Sequence, residues 1–448
     1  MKPAIVMPGF WERQMRLAFL VVLTLASAAH AASFAVTSLT DGADATPGDG
    51  ICAAAAGGCT LRAAIQEANA LAGPDAITVP AGALRLTLGD LGVTDDLTLT
   101  GAGSSATIIS ATRGARVLTI ADSAHVTISG MQLQRGSVNW GGGLRNDGTA
   151  TLNDVVFARN KAPGAQGVGY AGAVYNDGIL QLTNVTFTQN ATSGITGSFG
   201  GGLFNDGSAM LSNVAFTANR AGGCGGGVYN RGSVMLTAVN LTSNLASNSG
   251  GAIFNEIGTV TLSTVTISGN RANKLGGGIF NYDTVALINT TITGNRGYNG
   301  GGIFNSYGTV ALTNVTVSAN RSFYGGGLYN QYLFNEGAIT LKNTIVNGNR
   351  PQNCSNTPMT SLGHNLDSDA SCALTAAGDL SNVDPGLGPL RNNGGFTPTM
   401  ALSPGSPAVD AGDNNGCPSS DQCGEQRPAD GNGDGIAICD IGAYELQP

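Results

Sequence analysis

Six basic residues of this 448-residue chain share one slot of a repeat. Lys161, Arg220, Arg271, Arg296, Arg321 and Arg350 each directly follow an asparagine, while Ala191 and Leu245 hold the slot in two other copies. A guanidinium fork grips carboxylates and phosphates through two parallel hydrogen bonds. Like charges stacked about 5 Å apart repel, so such a column must be solvated or matched by anions. Two readings stay open: a solubilising turn that blunts aggregation, or a stripe for acidic glycans or lipopolysaccharide phosphates carried by Arg220, Arg271, Arg296 and Arg321.

A second set is aromatic. Trp140, Tyr170, Phe199 and Tyr324 occupy the slot just before a glycine run, beside the longest loops, around 161–171 and 191–199. Insertions into a repeat gather on one face, often the binding face. Rings there would stack on sugars, or else pack loop against coil. A separate column of Tyr175, Phe204, Tyr229, Phe254, Phe280, Phe304 and Tyr329 is expected to form a structural stack, facing outward by strand alternation or tucked under a loop by the adjacent turn.

The third set is Asp430-Gly-Asn-Gly-Asp-Gly435. Oxygen-bearing side chains at positions one, three and five with glycine at six match the start of a Ca²⁺ loop. Asp430, Asn432 and Asp434 would be ligands, with Asp440 closing the site one place early. An Asp/Gly-rich turn held by a nearby disulfide is the plainer alternative.

Acid–base chemistry has less to stand on. Polysaccharide hydrolysis needs paired carboxylates, and lyase chemistry needs carboxylates clustered around Ca²⁺. Most acids of the repeats (Asp147, Asp177, Asp206, Glu256, Asp283) fall singly in turns, and adjacent Asp95 and Asp96 would point to opposite faces of a strand. No catalytic residue is assigned. A polysaccharide lyase or glycoside hydrolase is carried as the alternative function, and a purely structural exoprotein as a third.

These residues are positioned by a repeat. The motif Gly-Gly-x-aliphatic-aromatic-Asn ends at Asn146, Asn176, Asn205, Asn230, Asn255, Asn281, Asn305 and Asn330, spaced 24 to 30 residues apart. A second asparagine follows at Asn160, Asn190, Asn219, Asn244, Asn270, Asn295, Asn320 and Asn349. Between them run strand pairs such as Thr259–Leu262 and Val265–Ile267, with period-two alternation. Three short strands per coil predict an all-β, right-handed parallel β-helix. A β-propeller blade would need roughly 40 residues. The asparagines should form buried ladders, with Asp154, Asn184, Asn213, Asn289, Asn314 and Asn343 in a third such slot.

Residues 1–31 read as a signal peptide: Arg13 and Arg16, an apolar run from Leu17 to Leu25, and a small-residue cleavage site at Ala29-His30-Ala31. Met15 is an alternative start. Residues 32–75 are expected to form an N-terminal cap, with Thr60 capping an amphipathic helix to Leu71. Residues 76–350 form the β-helix, and 351–448 its last coils and a loop-rich C-terminal cap. No later run is long enough to span a membrane, so the mature protein is expected outside the cytoplasm, as a monomer. Eight cysteines suit an oxidising compartment. The favoured bridges are Cys52–Cys59, Cys354–Cys372 and Cys417–Cys439, leaving Cys224 and Cys423 unpaired. A net charge of −8 argues against a nucleic-acid partner.

Three stretches carry a resemblance. Cys59-Thr-Leu-Arg-Ala-Ala64 resembles the CSLREA motif of secreted β-helix proteins, departing where Ala63 stands for Glu. The GGxIFN copies resemble the repeats of chlamydial polymorphic outer membrane proteins. The segments Asn393–Thr399, Pro404–Gly412 and Cys439–Glu445 are similar to the choice-of-anchor Q domain. The resemblance implies an exported, often surface-displayed, pectin-lyase-like β-helix, read here as a non-catalytic adhesin or glycan-binding protein that is secreted or held at the outer-membrane surface. Neither the C-terminal barrel of the polymorphic proteins nor a sorting tail follows Glu445, so release or non-covalent retention is expected.

Overall fold

In the computed structural model the described residues are 31–448, apart from 113, 165–166, 195–196, 332–336 and 357–358. The signal peptide lies outside them, except for its last residue.

The chain winds into a parallel β-solenoid of about 11 turns. Every ladder between named strands is parallel. One sheet holds eleven short strands, one per coil, among them Leu144–Asn146, Val174–Asn176, Ile253–Asn255 and Ile303–Asn305. The largest sheet joins the other two strands of each coil. In Thr149–Ala158, Thr259–Ser268, Thr284–Thr293 and Thr309–Ser318 these two are one ten-residue strand bent at its middle. A narrow ladder of two-residue strands, from Lys161–Ala162 to Arg271–Ala272, follows the second asparagine.

Register stacks like on like. Ile253, Ile279 and Ile303 pair in sequence, as do Leu262, Leu287 and Leu312. All are buried, so one aliphatic wall runs the length of the solenoid. Phe157, Phe187 and Phe216 stack within the same core, with centroids 5.1 and 4.4 Å apart. No coil could bury this surface alone, and stacking is what closes the core.

Both asparagine columns are buried ladders. Along the first, each side-chain amide donates to the next coil, as from Asn255 to Asn281 Oδ1 at 2.8 Å. Along the second, Asn270 Oδ1 accepts both the backbone N–H of Asn244 at 2.8 Å and its side-chain amide at 3.0 Å. The third slot behaves differently from expectation. Asp154, Asn184, Asn213, Asn289, Asn314 and Asn343 sit at the strand corner with φ between 47° and 56°, a left-handed conformation that short polar side chains tolerate. Asn184 and Asn213 are exposed there, whereas Asn289, Asn314 and Asn343 are buried.

What buries them corrects the picture of a simple end cap. The last coils run through Leu366–Asp367 and Leu380–Ser381. The remaining chain then folds back along the outside of four coils. Thr397 Oγ1 donates to Thr264 O, Asn289 Nδ2 to Ser420 O, Asn314 Nδ2 to Asp440 O and Asn343 Nδ2 to Asp413 O. The chain reads as terminal in sequence yet lies lateral in space.

At the N-terminal end, Thr60 caps the helix Leu61–Ala70 by accepting from Ala63 N at 3.1 Å. Its buried face includes Leu61, Ala64, Ile65 and Ala68. Arg62 pairs with Asp41 at 2.7 Å, and buried Glu67 accepts from the backbone of Gly48 and Gly50. The disulfides are Cys52–Cys59, Cys354–Cys372 and Cys417–Cys439, with Cys224 and Cys423 free and buried. No helix among the described residues is long and apolar enough to cross a membrane.

Candidate functional site: a basic stripe along the solenoid

The glycine run of each coil determines where the basic residues stand. A Cβ on Gly277 would lie 2.4 Å from the Arg296 backbone carbonyl carbon, and one on Gly326 would lie 2.4 Å from Arg350 N. Glycine therefore lets each glycine turn press against the backbone of the next coil's basic slot. The slot is in register throughout: Lys161 pairs with Ala191, then Arg220, Leu245 and Arg271. Single bridges carry it on through Arg296, Arg321 and Arg350. All six cations are exposed, and among the described residues none forms an ion pair.

Toward the C-terminal coils the stripe deepens into a groove of about 480 Å³ lined by Arg296, Tyr298, Arg321, Phe323 and Arg350. Tyr298 and Phe323 stack with centroids 5.5 Å apart and planes 2° from parallel. They are 55% and 60% exposed, so their outer faces are free. Among the described residues no carboxylate lines this groove. The spacing Arg-x-aromatic, repeated at 296–298 and 321–323, is the signal that would have revealed the two rings.

The expected aromatic platform divides. Trp140 stacks on Tyr170 at 4.3 Å, and both turn edges to the second aromatic column through Trp140–Tyr175 and Tyr170–Phe204 contacts. Phe199 tilts against Tyr229 at 4.7 Å. Tyr170 and Phe199 are thus partly buried in packing loop against coil. Tyr324 is different: it is 51% exposed and meets Phe323 edge-on at 4.8 Å. The second column is largely buried, the tucked alternative of the two, with Phe254 and Phe280 stacked at 4.6 Å. The glycine turns and the loop residues before them cover it. Cys224 lies in that cover, and burial raises its thiol pKa to about 11, which suits packing and not nucleophilic chemistry.

The Asp430 turn gathers Asp430, Asn432 and Asp434 on one loop. Asp430 accepts from Gly433 N, Asp434 N and Gly435 N, and Asp434 accepts from Ile436 N. Asp440 is not brought to it. Its carboxylate is buried and accepts from Asp410 N and Leu446 N. Asp410 stands nearer, accepting from Asn432 N at 2.8 Å. Among the described residues no three His, Cys, Asp or Glu converge as metal ligands. The acids of the repeats lie along a different corner, where Arg145 pairs with Asp147 and Arg231 bridges Asp206 and Glu256.

Fold and site together define a parallel β-helix with a basic stripe along one corner. The Chlamydia polymorphic membrane protein repeat model matches residues 264–282, close to one full glycine-to-asparagine motif. Two solved structures are similar in fold. The A-module of mannuronan C-5 epimerase AlgE4 from Azotobacter vinelandii is 16% identical at a TM-score of 0.35, covering 73% of this chain and 97% of its own. Pectate lyase Pel9A is 13% identical at a TM-score of 0.40, covering 93% of this chain and 97% of its own. No curated protein sequence matches the chain.

Proposed function

We propose that this chain is an exported, surface-associated β-helix protein that binds acidic glycans without cleaving them. One observation carries the reading: unpaired Arg296, Arg321 and Arg350 line a groove with the stacked, exposed rings of Tyr298 and Phe323. Cation forks recognise the anionic groups, and flat rings take the apolar faces of sugars. Three disulfides support an oxidising compartment, in keeping with the expected export signal. The polymorphic membrane protein repeat supports a surface location, and the motifs at Cys59–Ala64 and 393–445 extend that reading toward CSLREA and choice-of-anchor Q proteins. Ca²⁺ in the turn of Asp430, Asn432 and Asp434 remains part of the proposal.

The test is binding of immobilised heparin at low salt. The variant R296Q/R321Q/R350Q should bind at least roughly tenfold more weakly, since about 1.4 kcal/mol is lost for each factor of ten. Binding should also fall as salt rises, because screening shortens to roughly 3 Å at 1 M. Unchanged affinity in the variant would sink the reading. Release of unsaturated or reducing ends in parallel assays would favour a lyase or hydrolase instead.

A further inference from the structure

A second, larger groove of about 870 Å³ lies on the N-terminal coils, lined among others by Arg85, Ser110, Arg135, Ser137, Arg159 and Lys161. Among the described residues its lining holds four cations and no carboxylate. All four are exposed; Arg159 donates to Gln189 Oε1 at 3.1 Å, and among the described residues none is ion-paired. Sequence patterning did not mark Arg85, Arg135 and Arg159, because they stand outside the repeated basic slot. Arg135 and Arg159 sit two residues before it, at a corner with φ of 62° and 55°.

The two grooves lie on one line. Lys161 belongs to the first and, by strand register, heads the column that ends at Arg350 in the second. Pro163 in the first groove occupies the slot that Tyr298 and Phe323 hold in the second. From Lys161 to Arg296 there are five coil steps, or about 24 Å at the usual strand spacing. Between the grooves stand Arg220 and Arg271. No Asp or Glu falls within three residues of any of the eight slot positions from 161 to 350. A chain that is acidic overall thus keeps acidic residues out of the immediate sequence around every basic slot.

We infer that a single linear polyanionic glycan lies lengthwise along this line, held at both ends by the two basic grooves. The inference rests on the glycan reading above and adds a second site, a direction and a length requirement. Two grooves occupied by one ligand turn the second binding event into an intramolecular one, which strengthens binding without any new contact. A ligand too short to reach both gains nothing.

The experiment titrates size-fractionated heparin fragments into the full chain by calorimetry. Short fragments should bind weakly at two per protein. Once fragments span both grooves, stoichiometry should fall to one and affinity rise by roughly 10²-fold. The variant R85Q/R135Q/R159Q changes only exposed side chains, and its melting curve serves as the folding control. It should abolish the step while short fragments still bind one per protein. A length series without a step, or a variant that keeps full long-chain affinity, overturns the inference. If R296Q/R321Q/R350Q weakens binding in that second case, the glycan reading survives alone. If no fragment binds, both fall. Equal binding of a length-matched single-stranded oligonucleotide would overturn the assignment of the line to glycans.

Discussion

The Asn281 side-chain amide donates to Asn305 Oδ1 at 2.9 Å, and both residues are fully buried. Asn281 also accepts from Asn255 at 2.8 Å and donates to the carbonyl of Asp283. Replacing it leaves partners on two coils unsatisfied. Asn281→Leu should therefore destabilise the protein by roughly 1–3 kcal/mol. Urea denaturation is the measurement, and a loss below about 0.5 kcal/mol would contradict the ladder's role.

The aromatics separate by exposure. Trp140→Ala and Phe199→Ala remove packing on the buried column and should lower the melting temperature, with little effect on heparin binding. Phe323→Ala removes an exposed ring and should do the reverse. The opposite pattern would move the binding surface to the N-terminal loops.

The folded-back segment should respond to pH. Burial raises the Glu445 carboxyl to about 7, offset in part by Arg427 at 3.0 Å, and raises Asp440 to about 6. Raised carboxylates mean that the folded state binds more protons than the unfolded one. Their contribution is then fully present below about pH 4 and is lost as pH climbs through 6 and 7. Amides of Asn289, Asn314 and Asn343 should exchange faster at pH 8 than at pH 5, after correction for intrinsic rates. Asp440→Asn should flatten that dependence, whereas a segment held more tightly at pH 8 would refute it.

Ca²⁺ is tested by a chelator. With the ion in the turn of Asp430, Asn432 and Asp434, EDTA lowers the melting temperature and Asp434→Ala removes that sensitivity. Superimposable melting curves with and without EDTA would leave the turn held by its own backbone amides alone.

The solenoid was legible because its slots repeat. Each ladder residue faces a copy of itself, so spacing in sequence becomes contact in space, as for Asn281 and Asn305. The groove was half legible. Its arginines repeat in one slot, but Tyr298 and Phe323 recur only twice and were hidden among variable turn residues. Strand alternation alone turns Phe254 and Phe280 outward, and their burial comes from the other reading, the adjacent glycine turn folding over the outer face. The path of residues 383–448 left no period to read. Its contacts pair unlike residues, such as Gln422 with Thr266 and Thr291, more than a hundred positions away.

That path makes the C-terminal segment a clasp. Its hydrogen bonds to Thr264, Asn289, Asn314 and Asn343 land on four successive coils, so one folded segment straps all four together. Elsewhere a coil could be duplicated or lost and its neighbours would close the gap with the same ladders. Beneath the segment, gaining or losing one coil would move the contacts on one side of the change about 4.8 Å relative to those on the other. The solenoid can thus vary in length between Lys161 and Ala246, while its last stretch is held to one count.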